Sequence, residues 1–168
     1  KSKEKYKEYA NRDALTGAYS RLFFQNWLSQ QADVAIEDAD SISAIIMIDL
    51  DGFKEVNDRY GHLVGDEVLG KIADILKSCI REDDFIIRYG GDEFLILLKN
   101  CDIEFCHDII SRMEAKFKSL SQYEVQMSYG IEEVKDKSRL LEHIRNADQK
   151  MYQMKKQKHR QLQSGMLM

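Results

Sequence analysis

The chain has 168 residues, of which 43% are hydrophobic, so it is long enough for one domain with a substantial core and too short to expect two. Its net charge of -4 provides no broad basic surface, and binding to nucleic acid duplexes is therefore not expected. The longest apolar runs fall far short of the roughly 20 residues that span a bilayer, and no signal peptide pattern opens the chain, so we expect a soluble, cytoplasmic domain.

The first segment, "KSKEKYKEYANRD", is charged and favours a helix, and it offers few apolar side chains for burial. We interpret residues 1–12 as the end of a linker helix within a larger protein. The alternative is a solvated terminal helix with no preceding domain. The domain proper is then expected at residues 13–160, followed by a C-terminal tail at residues 161–168.

A helix and a strand come next in the predicted order. Ser20 is a candidate N-cap, and the residues after it, "RLFFQNWLSQQ", place their apolar side chains on one helical face. The stretch "SAIIMIDLD" is a nearly continuous apolar run, which is typical of a central strand covered on both faces. This run ends in Asp49 and Asp51, which lie on the same face because side chains alternate along a strand.

The rest of the chain mixes helices and strands. A short helix is predicted around "FKEVNDRY", then a break at Gly61 and a longer helix from about Gly65 to Cys79. Strands at "DFIIRY" and "EFLILLK" form a hairpin, and a helix near "IEFCHDIISRMEAKFKSL" follows. A strand at "YEVQMSYGI" and a final helix from about Ser138 to Lys158 complete an α+β pattern.

The three cysteines, Cys79, Cys101 and Cys106, do not have the spacing of zinc ligands. An odd number of cysteines in a chain without a secretion pattern predicts reduced thiols and not a disulfide framework. This agrees with the cytoplasmic assignment.

The turn of the hairpin, in "RYGGDEFLIL", combines two glycines with two acids. Gly90 and Gly91 accept positive φ, so they suit a tight turn and let another group approach the backbone. Taken alone, Asp92 and Glu93 are ordinary solvated turn residues. However, consecutive sheet elements tend to lie side by side, so Asp49 could meet Asp92. Two carboxylates about 4 Å apart repel by about 4 kcal/mol at an effective dielectric near 20, which predicts a cation between them.

A hard divalent cation is the natural candidate for this pair of carboxylates. Mg²⁺ prefers oxygen ligands, and proteins commonly hold it with one or two carboxylates together with substrate phosphates. The acids therefore predict a nucleotide substrate.

Several spaced motifs closely resemble the GGDEF-domain diguanylate cyclases, which join two GTP molecules into cyclic di-GMP. They are "DALTGAYSR", "IDLDGFKEVNDRYGHLVGDEVL", "RYGGDEF", "MSYGI" and "NADQKMYQMKKQK", in family order over nearly the whole chain. The resemblance implies an α+β fold with a central, mainly antiparallel five-stranded sheet flanked by helices, similar to nucleotidyl cyclase and polymerase palm domains. The predicted order of elements is compatible with that fold. An upstream sensory or regulatory domain is also implied, and the full-length protein could be membrane-anchored.

The resemblance implies a metal site and a reaction. Asp49, Asp92 and the backbone carbonyl of Leu50 would bind Mg²⁺ or Mn²⁺. A ribose 3′-hydroxyl of one GTP would attack the α-phosphorus of the other, with pyrophosphate leaving, and the step would occur twice. Asp92 is the first choice for helping to deprotonate the hydroxyl, and Glu93 is the second, because adjacent acids on a strand point to opposite faces. Each domain would bind one GTP, so catalysis would need a homodimer.

The resemblance also implies a set of substrate contacts. Asn57 and Asp66 would bind guanine, since a carboxylate can accept from its N1–H and amino group and adenine lacks that pair of donors. Phosphate contacts would come from Lys54, Lys155, the backbone near Phe53 and the turn at Gly90 and Gly91, and His62 belongs to the same motif. Taken singly, Asn57, His62 and Lys155 also fit structural roles at helix ends and in loops, and it is their joint spacing that favours the site.

A second site is implied by Arg81 and Asp84, which precede Gly90 at the offset of the family's RxxD motif, where product binds and inhibits. The alternative for such a pair is a surface salt bridge worth about 0 to 1 kcal/mol. The fixed offset from the GGDEF motif favours the inhibitory site, with the Arg81 guanidinium binding guanine or phosphate.

The chain departs from the family pattern in two places. "LTGAYSR" replaces the usual "LTGLxNR", and Lys158 and His159 replace the usual Gly-Arg, with Arg160 one place later. The family's arginine at this position is expected to contact phosphate, and that contact is in question here. Arg160 could supply it if the end of the helix shifts. This leaves open a receptor or regulatory module that binds GTP or cyclic di-GMP without turnover. A pure dimerisation module would leave the acids unexplained.

Overall fold

The computed structural model describes residues 11–30 and 42–166, so the predicted linker helix at residues 1–12 lies almost wholly outside the described residues. The described part of the chain forms one sheet with helices on both faces. The elements are β1 (Tyr19–Ser20), α1 (Arg21–Gln30), β2 (Ile42–Asp51), α2 (Phe53–Tyr60), α3 (His62–Ser78), β3 (Phe85–Arg88), β4 (Glu93–Lys99), α4 (Ile103–Phe117), β5 (Gln126–Glu133) and α5 (Leu140–Met166), with short 3₁₀ helices at Lys118–Tyr123 and Lys137–Arg139.

The sheet has five strands in the order β1-β3-β4-β2-β5. Only β1 runs parallel to its neighbour, β3, and every other pair is antiparallel, which confirms the predicted sheet. Sequence patterns did not predict β1, because a strand of two residues has no periodicity to detect. The Ser20 N-cap is confirmed, since its hydroxyl accepts a hydrogen bond from the Phe23 amide at 3.1 Å.

The central strand, β2, is buried on both faces. Ile46 and Ile48 pack in the larger core cluster with residues of α2, α3 and α4. Ile45 and Met47 point the other way, into a second cluster with α1 and α5. This explains the uninterrupted apolar run, because neither face of the strand is available for polar side chains.

Two helix boundaries differ from the prediction. Helix α3 begins at His62, directly after Gly61, and not at Gly65. Helix α5 continues to Met166, so residues 159–166 extend the helix beyond the predicted end at Lys158. Both extensions mix polar residues with exposed apolar ones such as Leu63 and Leu162, so they lack the apolar periodicity that predicts a helix from sequence.

Close packing of α5 on β5 fixes the position of the long helix. A Cβ atom on Gly130 would lie 2.0 Å from the carbonyl oxygen of Ala147, so only glycine permits this approach. The Glu132 carboxylate accepts hydrogen bonds from Asn146 at 3.2 Å and Lys150 at 2.6 Å. As a result the later turns of α5 cross the acidic end of β2.

No helix of the described residues is both long and apolar enough to traverse a bilayer.

Candidate active site

The acids at the end of β2 and the start of β4 form one cluster. Asp49 and Glu93 are paired directly across the two antiparallel strands. Directly opposed residues place their side chains on the same face, so these two carboxylates lie side by side. The Leu50 amide donates to the carbonyl of Asp92 at 3.0 Å, which holds Asp92 at the same end of the sheet. The structure therefore brings both acids of the turn to Asp49.

The two oxygens of the Asp49 carboxylate have different surroundings. The side chain is 9% exposed, and Oδ2 accepts a hydrogen bond of 2.5 Å from Lys155 Nζ. Oδ1 is buried and has no hydrogen-bond partner among the described residues. Burial raises the pKa of Asp49, and the charge of Asp92 adds to this effect while Lys155 opposes it. A buried carboxylate oxygen without a partner is costly, and it indicates a place for a cation.

The pKa of Glu93 is also raised, first by burial and then by the charges of Asp49 and Asp148. Arg21 is near enough to oppose this shift. Its guanidinium donates to the Tyr89 carbonyl at 3.2 Å and stacks over the Tyr89 ring at 4.4 Å. Arg21 was not predicted as a site residue, because only the folded hairpin brings Tyr89 and Glu93 to the start of α1.

These residues fit a divalent cation that completes its coordination with substrate. In the part of the chain that the structure describes, no three His, Cys, Asp or Glu side chains form a metal-binding group by themselves. Mg²⁺ typically needs only one or two carboxylates when phosphates and water supply the rest, and Asp49 and Asp92 meet that need. The amide and carbonyl of a strand residue point to the same side, so the Leu50 carbonyl faces β4 and Asp92.

The glycine turn differs from the expectation. Within the described residues, glycines with positive φ occur at other positions, so neither Gly90 nor Gly91 uses left-handed backbone. A Cβ on Gly90 would lie 3.3 Å from Cβ and Cδ of Glu93, which is crowded, whereas one on Gly91 would have no atom within 4 Å. Gly90 therefore leaves room for the Glu93 side chain, and Gly91 leaves an open face for a ligand.

Arg88 connects this turn to the "DALTG" segment. Its Nη2 donates to the Gly91 carbonyl at 2.9 Å, and its Nη1 lies 3.1 Å from Asp13 Oδ1. Asp13 also accepts hydrogen bonds from the amide and hydroxyl of Thr16 at 2.9 and 2.7 Å. Burial would raise the pKa of Asp13, but the hydrogen bonds from Thr16 and the charge of Arg88 lower it. The segment before β1 is thus held against the open glycine turn.

Asn57 and Asp66, the predicted guanine contacts, lie on adjoining helices. A Cβ on Gly65 would lie 1.7 Å from Asn57 Oδ1, so the Asn57 amide rests on the backbone of α3 beside Asp66. Gly61, with φ 87°, makes the sharp turn between α2 and α3. Asp66 and His62 are both exposed on α3. The structure therefore groups these three side chains near the start of α3.

The start of α2 follows the acids of β2 directly. Gly52 has φ 83°, and a Cβ there would lie 3.0 Å from the Glu124 carbonyl oxygen, so glycine is needed at this turn. Phe53 is buried in the core and Lys54 is exposed. The backbone near Phe53 is therefore held firmly, with Lys54 free to reach toward solvent.

Two lysines of α5 contact the acids of β2. Besides Lys155 on Asp49, Lys158 Nζ donates to Asp51 Oδ2 at 3.0 Å and to the carbonyl of Met127. Ser128 donates to the same Asp51 oxygen at 2.7 Å. Lys158 was noticed in the sequence only as a departure from the family, although its spacing of three residues from Lys155 places both on one helical face. Arg160 lies exposed beyond them.

Arg81 and Asp84 lie at the far end of β4, about 20 Å along the strand from Glu93. Asp84 has a side chain only 1% exposed, and its two oxygens accept from the amides of Arg81 at 2.9 Å and Lys99 at 3.0 Å. Asp84 therefore holds the backbone of Arg81 and Lys99, and its Oδ2 also lies 3.9 Å from Arg81 Nε in an ion pair. Arg81 is 48% exposed, and its Nη2 donates to the carbonyl of Lys99 at 3.0 Å.

Comparisons with known proteins agree with this geometry. Residues 10–161 match the family described as "Diguanylate cyclase, GGDEF domain". The chain is 35% identical over 147 residues to diguanylate cyclase DgcS of Shewanella oneidensis, covering 85% of this chain and 49% of DgcS. It is 34% identical over 165 residues to cyclic di-GMP phosphodiesterase PdeR of Escherichia coli, covering 92% of this chain and 24% of PdeR. The chain thus spans less than half the length of these curated relatives.

A solved structure of the GGDEF domain of TpbB (YfiN) from Pseudomonas aeruginosa superposes with a TM-score of 0.70 at 32% identity, covering 87% of this chain and 89% of that one. The likeness confirms the predicted cyclase fold with its palm-like sheet. On these matches of sequence and fold, the chain belongs to the GGDEF domain family of diguanylate cyclases.

Proposed function

We propose that this domain condenses two GTP molecules into cyclic di-GMP with release of pyrophosphate. Membership of the family supports this function, and one structural observation carries it. The buried Oδ1 of Asp49 has no hydrogen-bond partner among the residues that the structure describes, and the carboxylates of Asp92 and Glu93 lie near it. An arrangement that is costly in the free protein is understandable if the site binds a cation and a triphosphate.

Asp49, Asp92 and the Leu50 carbonyl would hold Mg²⁺ or Mn²⁺. When bound, such a cation neutralises charge that develops on the phosphates and aligns the reacting oxygens. Lys155, already hydrogen-bonded to Asp49, would contact phosphate from the α5 side. Lys54 and the open face of Gly91 would contact it from the other side.

The guanine base would lie against Asn57 and Asp66. A carboxylate at Asp66 accepts from both the N1–H and the amino group of guanine, and adenine offers no such pair of donors. His62 is exposed one turn before Asp66 on the same helix and would line the same pocket. The base choice then rests on Asp66.

The 3′-oxygen of one GTP would bond to the α-phosphorus of the other as the bond to the pyrophosphate oxygen breaks, and a second such step would close the ring. The proton of the 3′-hydroxyl must pass to a base. Sequence reasoning ranked Asp92 ahead of Glu93 for this role. The position of Glu93 beside Asp49 and its raised pKa favour Glu93, because a raised pKa makes its carboxylate a stronger base.

One domain offers one set of these residues, so two domains must face each other for the reaction. A two-fold homodimer is the simplest arrangement. An upstream sensory or regulatory domain would control how the two copies meet. The cytoplasmic location remains a prediction.

The test is incubation of the domain with GTP and MgCl₂, with chromatographic detection of cyclic di-GMP. Asp49→Asn and Asp92→Ala should each lower the rate at least about a hundredfold. Asp74→Asn is the matched control, since Asp74 is an exposed aspartate of α3 outside the cluster. Near-normal turnover by Asp92→Ala would contradict the assignment.

A second candidate is a receptor that binds GTP or cyclic di-GMP without turnover. The ion pairs of α5 favour the receptor. Lys155 pairs with Asp49, the proposed metal ligand, and Lys158 pairs with the neighbouring Asp51, so both acids are already neutralised. Calorimetric titration with each nucleotide, run beside the turnover assay, separates the two. Nucleotide binding with no product would select the receptor.

Arg81 is proposed to bind cyclic di-GMP as an inhibitory product. Its guanidinium is half exposed, while Asp84 serves to hold the backbone of Arg81 in place. Arg81→Ala should remove product inhibition and leave the initial rate unchanged. Equal inhibition of this variant and the natural domain would remove the second site from the account.

A further inference from the structure

Two cysteines meet where β4 leads into α4. Cys101 directly precedes Asp102, the N-cap of α4, and Cys106 lies in the first turns of that helix. Their Sγ atoms are 3.8 Å apart. A disulfide has sulfurs about 2.0 Å apart, so side-chain rotation that closes about 1.8 Å would join them.

The two thiols have different surroundings. Cys101 is partly exposed, and Cys106 is fully buried. The hydrogen bond from Cys106 lowers the pKa of Cys101 to about 7, and the same bond raises the pKa of Cys106. At neutral pH Cys101 therefore carries a large thiolate fraction that a small oxidant can reach, with a second thiol directly behind it.

The backbone around Cys101 is held in place, which keeps the pair together. The Cys101 amide donates to Ser43 Oγ at 2.8 Å, and Ser43 Oγ is 2.9 Å from the Cys101 carbonyl oxygen. Asp102 accepts from the Phe105 amide at 2.8 Å and so fixes the first turn of α4. An apolar residue just before a helix N-cap often packs on another apolar residue in the first turns of the helix. That packing explains apolar side chains at positions 101 and 106, but it does not require both to be thiols.

We propose that Cys101 and Cys106 form a modification site at which hydrogen peroxide produces an intrachain disulfide. The Cys101 thiolate attacks one peroxide oxygen, the O–O bond breaks, and hydroxide leaves to give a sulfenic acid. The Cys106 sulfur then attacks the Cys101 sulfur and expels the sulfenic oxygen, which leaves as water with the Cys106 proton. Overall, two thiols and one peroxide become one disulfide and two waters. The site adjoins Arg81, whose Nη2 also contacts the carbonyl of Asn100 at 3.5 Å.

The experiment treats the reduced chain with a small excess of hydrogen peroxide at pH 7. The chain is then unfolded in denaturant with iodoacetamide, so that buried thiols are alkylated, and digested with trypsin. The peptide from Asn100 to Arg112 holds both cysteines, and Cys79 falls on a separate peptide as an internal control. We expect the first peptide to lose two hydrogen atoms and resist alkylation, while Cys79 stays alkylated. Its oxidation should be about threefold faster than that of glutathione, because the larger thiolate fraction outweighs the lower nucleophilicity of a less basic thiolate.

Three cysteine variants show which thiol reacts first with the peroxide. Cys106→Ser should leave a sulfenic acid on Cys101 that dimedone traps, and Cys101→Ser should abolish rapid oxidation. Cys79→Ser should behave like the natural chain. The proposal would be overturned if both cysteines of the first peptide were still alkylated after the peroxide is consumed. It would also be overturned if a non-reducing gel showed disulfides only between chains.

Discussion

At Asp49, one carboxylate oxygen has a lysine as its partner and the other has none among the described residues. The hydrogen bond from the lysine reaches one oxygen, and burial and the nearby charge of Asp92 raise the pKa of Asp49. The charge of Asp49 in turn raises the pKa of Glu93. The free protein therefore carries a local electrostatic cost that a bound cation would relieve. Both predictions at this scale follow from that cost.

Mg²⁺ should stabilise the natural domain in the absence of nucleotide. At a concentration tenfold above its dissociation constant, it should add about 1.4 kcal/mol, or about 4 °C in Tm for a chain of this length. Asp49→Asn should remove this shift, while Asp74→Asn should retain it. Thermal unfolding with MgCl₂ and with EDTA measures the effect, and an equal shift in Asp49→Asn would show that Mg²⁺ binds elsewhere.

Stability without Mg²⁺ should also depend on pH through Glu93. The pKa of Glu93 in the folded state is raised above the ordinary value of 4.5. Between pH 4.5 and that raised pKa, the folded state therefore binds more protons than the unfolded state. Stability contributed by this group therefore falls as pH rises above about 4.5 through the folded pKa. Denaturant unfolding in EDTA from pH 4 to 7 should show a weaker loss with pH in Glu93→Gln. Parallel curves for the two proteins would contradict the shift.

Residue types and spacing in the sequence pointed to Asp49, Asp92 and Glu93 as candidate site residues, but they did not show which of these carboxylates lie side by side. The sequence rule that neighbouring strand residues face opposite ways separated Asp92 from Glu93. It could not show that the strand register sets Glu93 opposite Asp49, because the register depends on how the turn closes. Lys158 was likewise ambiguous until α5 was packed across β2.

At the scale of elements, α3 contains two glycines with different purposes. Gly65 faces the Asn57 amide, where a Cβ would lie 1.7 Å from Oδ1. A Cβ on Gly70 would meet only the Leu15 carbonyl oxygen at an ordinary 3.8 Å. Gly65 therefore makes room for the Asn57 side chain, which we propose as a guanine contact, and the described residues around Gly70 leave space for a Cβ.

Alanine substitutions should have opposite effects at these two positions. Gly70→Ala should stabilise the domain by about 0.5 to 1 kcal/mol, as alanine favours a helix interior. Gly65→Ala should cost about 1 to 3 kcal/mol and weaken GTP binding, because the Asn57 amide must move. Denaturant unfolding measures both, and most of the cost should disappear in an Asn57→Ala background. A cost that persists there would show that Asn57 is not the group displaced.

The long elements followed from apolar periodicity, while β1 and the ends of α3 and α5 did not. β1 is a strand because β3 offers an edge for pairing. The residues of α5 after Lys158 are all exposed, including Leu162 and Met166, so no buried apolar face marks that end of the helix. The palm-like arrangement of the sheet came from the resemblance to the family. Periodicity alone predicted an α+β order without a strand arrangement.

For the whole molecule, the central claim is that two copies of this domain, each with one GTP, form one active unit. One chain supplies the acids of β2 and β4, the lysines of α5 and the proposed guanine contacts of α2 and α3. The proposed product, however, contains two nucleotides. Catalysis should therefore depend on the concentration of paired domains and not on the concentration of domains.

The most direct measurement joins the chain at its N-terminus to a parallel two-stranded coiled coil and follows product from GTP and MgCl₂ over a dilution series. We expect a rate per domain that stays constant on dilution, with two pyrophosphates released for each cyclic di-GMP. The same chain without the coiled coil should lose activity as it is diluted. A paired domain that binds GTP and forms no cyclic di-GMP would contradict the account.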